Sequence, residues 1–512
     1  MQNGFPFHWF LIAFAAYTAL LFLISHLTAR KAGSSSFFSG DRKAPWPVVA
    51  YGMVGASISG VTFISVPGNV WAQNFFYMPL VLGFVCGYAV VAEVLLPLYY
   101  KKNLTSIYTY LGERLGRKSH ITGTSFFMLS RLLGAAVRIL AVMVVFNTFI
   151  PAGFAKATSS TFVFAVVTLV FLVLLYLYTF RGGVKTIIWT DVLQTTFMLL
   201  AVGLAIWHIC RDMGWSGGAM WSALASSENP LTPGHGYLDW FDWNWSTGTN
   251  ALKQFFAGIF ITIAMTGLDQ AMIQKSLACK DLRAAKKNMY TTSIIILAVN
   301  LFFLLLGALL CIYASSKGGF EALGITRTDE LFPAVASRCL GFGVCLFFLI
   351  GLISAAYPSA GAAMTSLTTS ICVDFLRFDK REDLTDKGKE LVRKYVHACV
   401  AAAFFFIILA LYLLSNDSVI NLVYKLASYT YGPLLGIFFF GILTRCKARD
   451  KATPWIAVAS PLLCLAFNIL GKRYLGFDLG FTLLIVNGLL TFVLMWLFRI
   501  KNNVKESAAS LR

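Results

Sequence analysis

Gly52-Met53-Val54-Gly55-Ala56-Ser57-Ile58-Ser59-Gly60-Val61-Thr62-Phe63-Ile64-Ser65-Val66-Pro67-Gly68-Asn69 is apolar and long enough to enter a bilayer, yet it carries glycines, hydroxyls and a proline where a lipid-facing helix has leucines. Glycine and proline weaken a helix interior, so this composition predicts a membrane helix that breaks. A break at mid-depth bares amides and carbonyls that hydrocarbon cannot satisfy. Such a helix survives only where it lines a cavity or binds something.

The surroundings of this stretch are those of a membrane protein. Of 512 residues, 58% are hydrophobic and 13% charged, and the mean hydropathy is +0.72, far from the balance of a soluble globular chain. The net charge of +19 falls in short basic clusters between apolar runs, which is the positive-inside pattern and not a nucleic-acid surface. The ten cysteines are scattered, without metal-ligand spacing, and no two histidines stand four apart on a helix. Neither a zinc site nor a nucleophile–base pair is legible, which excludes the common classes of membrane enzyme. The first apolar run, 7–27, follows no basic n-region and is longer than a signal-peptide core, so it reads as a retained span.

At roughly 20 apolar residues per span, thirteen helices are expected: 6–28, 46–74, 76–99, 121–149, 160–180, 186–209, 251–276, 289–314, 341–373, 393–414, 419–443, 453–470 and 478–499. Basic clusters at Arg30 to Lys43, Lys101 to Lys118, Arg181 and Lys185, Lys280 to Lys287, Arg377 to Lys394, Arg445 to Lys451 and Arg499 to Lys505 mark every second connection. That alternation places the N-terminus outside and the C-terminus in the cytoplasm, with the chain in a cell inner (plasma) membrane and in contact with lipid. The ninth span would run about 50 Å at roughly 1.5 Å per residue and must tilt, protrude or break. Residues 331–340 before it read as a short surface helix. The connection 210–250 holds five tryptophans with Asp239 and Asp242 and reads as a lid or interface anchor.

The span count carries a symmetry. Two successive units of five helices, 45–209 and 251–445, have opposite orientation because five is odd, which makes an inverted repeat. A leading helix (1–44), the connection 210–250 and two trailing helices with a tail (446–512) complete a single transmembrane domain. Each unit opens on an interrupted helix, the second at Thr262-Ile263-Ala264-Met265-Thr266-Gly267-Leu268-Asp269-Gln270.

Within the spans the ionisable residues are Glu93, Arg131, Arg138, Asp191, Asp269 and Lys425. A charge at depth is costly unless paired or facing water, so each is a site candidate, with a structural ion pair as the bland alternative. Asp191 and Asp269 favour function, while Glu93 stands even. Arg131 and Arg138, seven apart on one helix face, and Lys425 suit an anionic solute or an ordinary ion pair. The hydroxyl run Thr365, Ser366, Thr368, Thr369 and Ser370 reads first as helix packing.

Four motifs then fall in order: Gly55-Ala56-Ser57-x-Ser59-Gly60-x-x-Phe63-x-x-x-Pro67-Gly68; Leu104-Thr105-Ser106-Ile107-Tyr108-Thr109-Tyr110-Leu111-x-x-Arg114; Gly182-Gly183-Val184-Lys185-x-x-x-Trp189-Thr190-Asp191-x-x-Gln194; and Asp269-Gln270-x-x-x-Gln274-Lys275. Together they resemble the sodium/solute symporter family of proline permeases, sodium–galactose transporters and sialic-acid symporters. The resemblance implies an all-α, leucine-transporter-like fold with a five-plus-five inverted repeat. It also implies alternating-access symport of a small polar solute with sodium, a sugar, sugar acid or sialic acid before an amino acid.

By position, Gly55, Ile58, Ala355 and Ser359 match the sodium ligands of that family, and Asp191 matches an aspartate used near a second cation. Ser57, Ser59, Thr62 and Asp269 fall on the solute side, to which the charge reading adds Arg138 and Lys425 as solute-binding candidates. The chain departs from the pattern at Tyr357-Pro358-Ser359, where a second serine is expected, and at Gly361 and Ala362, where hydroxyls or acids are expected. Those departures keep open a proton-coupled or uncoupled carrier, and the use of this fold as the input domain of some sensor kinases keeps open a transporter-like solute sensor.

Overall fold

The computed structural model describes residues 6–29, 44–102, 104, 106–150, 160–180, 183–378, 383, 385–414, 419–476 and 479–500. Thr105, Arg181, Gly182 and the basic residues Arg30, Lys31, Arg42, Lys43, Lys380, Arg381, Lys501 and Lys505 lie outside them. Among the described residues there are eleven helices long and apolar enough to cross a membrane, plus two bent pairs, thirteen spans when each pair counts once.

In chain order they are α1 (Phe7–Ala29), the bent pair α2 (Trp46–Ser57) and α3 (Gly60–Gln73), and α4 (Met78–Lys101). The short α5 (Thr109–Arg114) leads into α6 (Arg117–Thr148), α7 (Ser160–Thr179) and α8 (Gly183–Asp212). After α9 (Gly217–Ser226) comes the second bent pair, α10 (Ala251–Gly267) and α11 (Gln270–Leu277), followed by α12 (Leu282–Ser316). The surface helix expected near 331–340 is α13 (Leu331–Arg338). Then come α14 (Phe342–Phe375), α15 (Asp386–Leu414), α16 (Val419–Leu443), α17 (Thr453–Leu475) and α18 (Leu483–Leu497). Two five-helix units, α2/α3 to α8 and α10/α11 to α16, thus each begin on a bent helix, with α1 before and α17 and α18 after.

Both bends have a local cause. Ile58 (φ −89°, ψ 93°) and Ser59 (φ −83°, ψ 175°) are extended, and α3 leaves α2 at 60°. In the second pair a π turn over Ile263–Gly267 ends at Leu268, Asp269 is extended, and α11 departs at 67°. The long α14 does not break: it runs as α-helix from Phe342 to Ser370 through Pro358 and finishes in a π turn to Phe375. Proline removes one rung of the ladder, and close packing holds the rest, since Tyr357 and Ser359 on either side are buried.

The core lies between the repeats. α1 adds one stripe to it, Phe10, Ala13, Tyr17 and Leu21, at helical spacing, and turns its other face to lipid. The first helix of the second repeat packs on α4 at backbone distance: a Cβ on Gly258 would press into the Leu80 carbonyl and lie 3.0 Å from the Gly83 Cα. Backbone cannot yield as a flexible side chain does. Gly258→Val is expected to destabilise the protein by about 1–3 kcal/mol, read as a lower melting midpoint in detergent, and an unchanged midpoint would refute this packing.

The loop between α8 and α10 is an anchor. Asn229 Nδ2 donates to the carbonyls of Val70 and Trp71 (3.3 and 2.9 Å) and to Asn74 Oδ1 (2.7 Å), clamping the far end of α3. Trp71 stacks on Phe320, centroids 4.3 Å apart. Burial works to raise the Asp242 carboxyl, but the hydroxyls of Thr247 and Thr249 and the Asn244 N–H hold it below the usual range, so it stays charged. Trp221, Trp243 and Trp245 are exposed, as interface tryptophans are.

Candidate functional site

The break between α2 and α3 leaves a row of carbonyls without helical donors. The Val54 carbonyl is taken by the Ile58 N–H (2.8 Å), and the ladder resumes only at Ser59, whose carbonyl accepts from the Phe63 N–H (3.0 Å). Among the described residues no N–H or hydroxyl donates to the carbonyls of Gly55 to Ile58 between them. The second break is satisfied: Tyr99 Oη donates to the Gly267 carbonyl (2.9 Å), Tyr108 Oη to the Leu268 carbonyl (2.7 Å), and the Ile107 N–H to Gln270 Oε1 (3.0 Å).

This asymmetry leaves the carbonyls of the first break, among the described residues, available as oxygen donors. Neutral oxygens at the negative end of a half-helix are the donors a sodium ion takes at an unwound helix. α14 packs against both halves of this helix. It carries buried Ala355 and Ser359, whose hydroxyl donates weakly to the Ala356 carbonyl (3.4 Å) and keeps its lone pairs. The residues present fit sodium.

Asp269 is engaged on every side. Oδ1 caps α11 by accepting the N–H groups of Ala271 and Met272 (2.9 and 3.2 Å), and Oδ2 accepts from Arg131 Nη1 (3.3 Å) and Tyr431 Oη (2.8 Å). It is fully buried and does not line the cavity described next. Asp269 was expected on the solute side; here the cap and the ion pair occupy both of its oxygens.

Between the two bent helices lies a cavity of about 110 Å³. Ser57, Ser59 and Thr62 line it, with Tyr88 Oη 3.2 Å from Ser57 Oγ. Both arginines of α6 face it. Arg131 is held by Asp269 through one nitrogen while its Nε and Nη2 have no partner. Arg138 makes no ion pair or hydrogen bond among the described residues. Two guanidiniums against one carboxylate leave the cavity one positive charge. Tyr77 and Tyr424 meet across it, hydroxyls 3.0 Å apart, and Asn300 and Thr266 add polar groups.

Other candidates fall elsewhere. Lys425 is exposed and does not line the cavity; its neighbour Tyr424 does. One residue is about 100° of helix rotation, enough to exchange cavity for surface. Glu93 is an exposed partner of Lys286 and Tyr290 (2.5 and 3.0 Å). In the hydroxyl run Ser366, Thr368 and Thr369 bond back to their own helix, the packing role. Asp191, expected near a second cation, is paired with Lys275, Nζ to Oδ2 2.5 Å, both buried. Asn300 and the cavity tyrosines escaped the sequence reading; a lone asparagine in an apolar span was the one available signal.

At the end of the bundle away from the α8–α10 loop, Asp374 gathers Ser106 Oγ (2.9 Å) and His120 Nε2 (2.8 Å). Arg114 donates there to the Thr444 carbonyl (2.6 Å). These bonds tie α14 and the end of α16 to the α5–α6 region.

The model of the sodium:solute symporter family matches residues 37–450. A sodium/sialic acid symporter of Proteus mirabilis is 21% identical over 94% of this chain and 92% of its own length. The human sodium/iodide cotransporter is 22% identical over 84% of this chain and 66% of its own. A solved Na+-coupled sialic acid symporter, in a substrate-bound outward-open state, superposes with a TM-score of 0.78 at 18% identity, over 96% of this chain and 97% of that one. That likeness shows the leucine-transporter-like fold.

Proposed function

Because the chain belongs to the sodium:solute symporter family, we propose that it moves an organic anion together with sodium, the carboxylate of the solute resting on Arg138. The observation that carries this reading is the guanidinium of Arg138, without a partner among the described residues, in a cavity with one excess positive charge. The two relatives named above carry a sugar acid and a halide, which share negative charge and little else. A planar guanidinium fork matches a carboxylate with two parallel hydrogen bonds, and Arg131 lines the same space. Hydroxyls of Ser57, Ser59 and Thr62 suit the rest of a polyhydroxylated solute, a sugar acid of the sialic-acid kind.

The carbonyls of Gly55, Ile58 and Ala355 and the Ser359 hydroxyl would hold the sodium ion, which supplies positive charge beside the anion's cavity and draws on the sodium gradient. The protein's own groups bind and orient the solute. The Tyr77–Tyr424 pair closes over it, and the bonds on Asp374 and Arg114 release to open the opposite end. The basic connections support an N-terminus outside and a C-terminus in the cytoplasm.

Uptake into liposomes holding the purified protein tests this. N-acetylneuraminate, glucuronate and lactate are compared with galactose under an inward sodium gradient and with potassium on both sides. The acids should accumulate, and only with sodium. Equal uptake in potassium, or a preference for galactose, would sink the reading.

A further inference from the structure

Asp191 and Lys275 form an ion pair that the anion cavity does not use. It joins both repeats: Asp191 stands on α8 and Lys275 on α11, and α2 is so close that a Cβ on Gly52 would lie 3.1 Å from the Asp191 Cβ. Around it are buried groups without partners among the described residues, Asp191 Oδ1, Gln274 Nε2 and Thr365 Oγ1. A gap of about 10 Å³ between Gln274, Lys275, Ala362 and Thr365 has room for about one water.

The residues do not fit a second sodium ion here. The ammonium already sits on Oδ2 at 2.5 Å, and a metal cation beside it would meet like charge in a medium that screens poorly. On α14 Ser359 is followed by Ala360, Gly361 and Ala362, buried and without side-chain oxygen, so that the next hydroxyl along the helix is that of Thr365. An ammonium carries the same charge as sodium, donates where sodium accepts lone pairs, and is covalently tethered, so it cannot leave with the solute.

We propose that Lys275 is a built-in counter-ion that fills the place of a second coupling cation, so that the chain couples one sodium ion to each solute and carries a monoanion without net charge. The proposal rests on the sodium-coupled reading above, and it predicts that membrane potential does not drive the cycle.

Equilibrium binding of radiolabelled sodium to the purified full chain in detergent, with choline replacing sodium to hold ionic strength, needs no solute and counts the sites. The wild-type protein should bind one ion and Lys275→Ala two, because Asp191 is then left with an uncompensated charge, while the double variant Asp191→Ala, Lys275→Ala should return to one. Two ions on the wild type, or one on a folded Lys275→Ala, overturns the proposal. No sodium on the wild type overturns the sodium-coupled reading beneath it. If Lys275→Ala does not fold, the wild-type count decides alone, together with uptake of N-acetylneuraminate under a fixed sodium gradient. A rate unchanged by an imposed inside-negative potential supports the proposal, and a potential-stimulated rate overturns it.

Discussion

Arg138→Gln should weaken binding of an anionic solute by about 100-fold, the loss of roughly 3 kcal/mol that two charge-assisted hydrogen bonds supply, and leave sodium binding intact. The side chain makes no ion pair or hydrogen bond among the described residues, so its removal strands no buried partner and the fold should persist. The measurement is a thermal-shift titration with N-acetylneuraminate in sodium, since a ligand that binds only the native state raises the midpoint. Arg138→Lys should fall between the two, because an ammonium keeps the charge and loses the fork. Full affinity in Arg138→Gln would remove the anion anchor from the mechanism.

Asp269→Ala is expected to act on stability instead. It strands the Arg131 guanidinium, 5% exposed, in the core, releases Tyr431 Oη and uncaps α11. Breaking a buried pair from one side costs about 3–5 kcal/mol, and loss of the cap about 1 kcal/mol more. Little folded protein should be recovered. Asp269→Asn keeps an oxygen for the cap, and the double variant Arg131→Met, Asp269→Asn removes both charges; each should be more stable than Asp269→Ala. A melting midpoint unchanged in Asp269→Ala, with solute affinity alone reduced, would restore Asp269 as a solute ligand.

Much of the architecture was legible because the bilayer imposes it locally. A span must be apolar over its whole length, so thirteen runs predict thirteen helices, and Ser57-Ile58-Ser59-Gly60 and Gly267-Leu268-Asp269 mark where two of them yield. The cavity-facing hydroxyls and the arginine face of α6 were legible too, since they follow from helical spacing and from the site of the break.

Partnership was not legible. Asp191 and Asp269 look alike in sequence, each a lone acid in an apolar span, yet one meets Lys275 and the other Arg131, Tyr431 and its own helix end. Those partners come from helices far away in the chain, and the rotation of each helix about its axis chooses them. The same rotation put Tyr424 in the cavity and Lys425 outside it.

What the sequence determined by itself is therefore the set of elements that satisfy a local requirement: spans, breaks, and the oxygens that a break must bare. What the tertiary structure decided is which of those needs the protein meets internally. Tyrosine hydroxyls cover the second break and an ammonium covers Asp191. The carbonyls of Gly55 to Ile58 and the guanidinium of Arg138 receive no such partner among the described residues, and we propose that an ion and a solute take them.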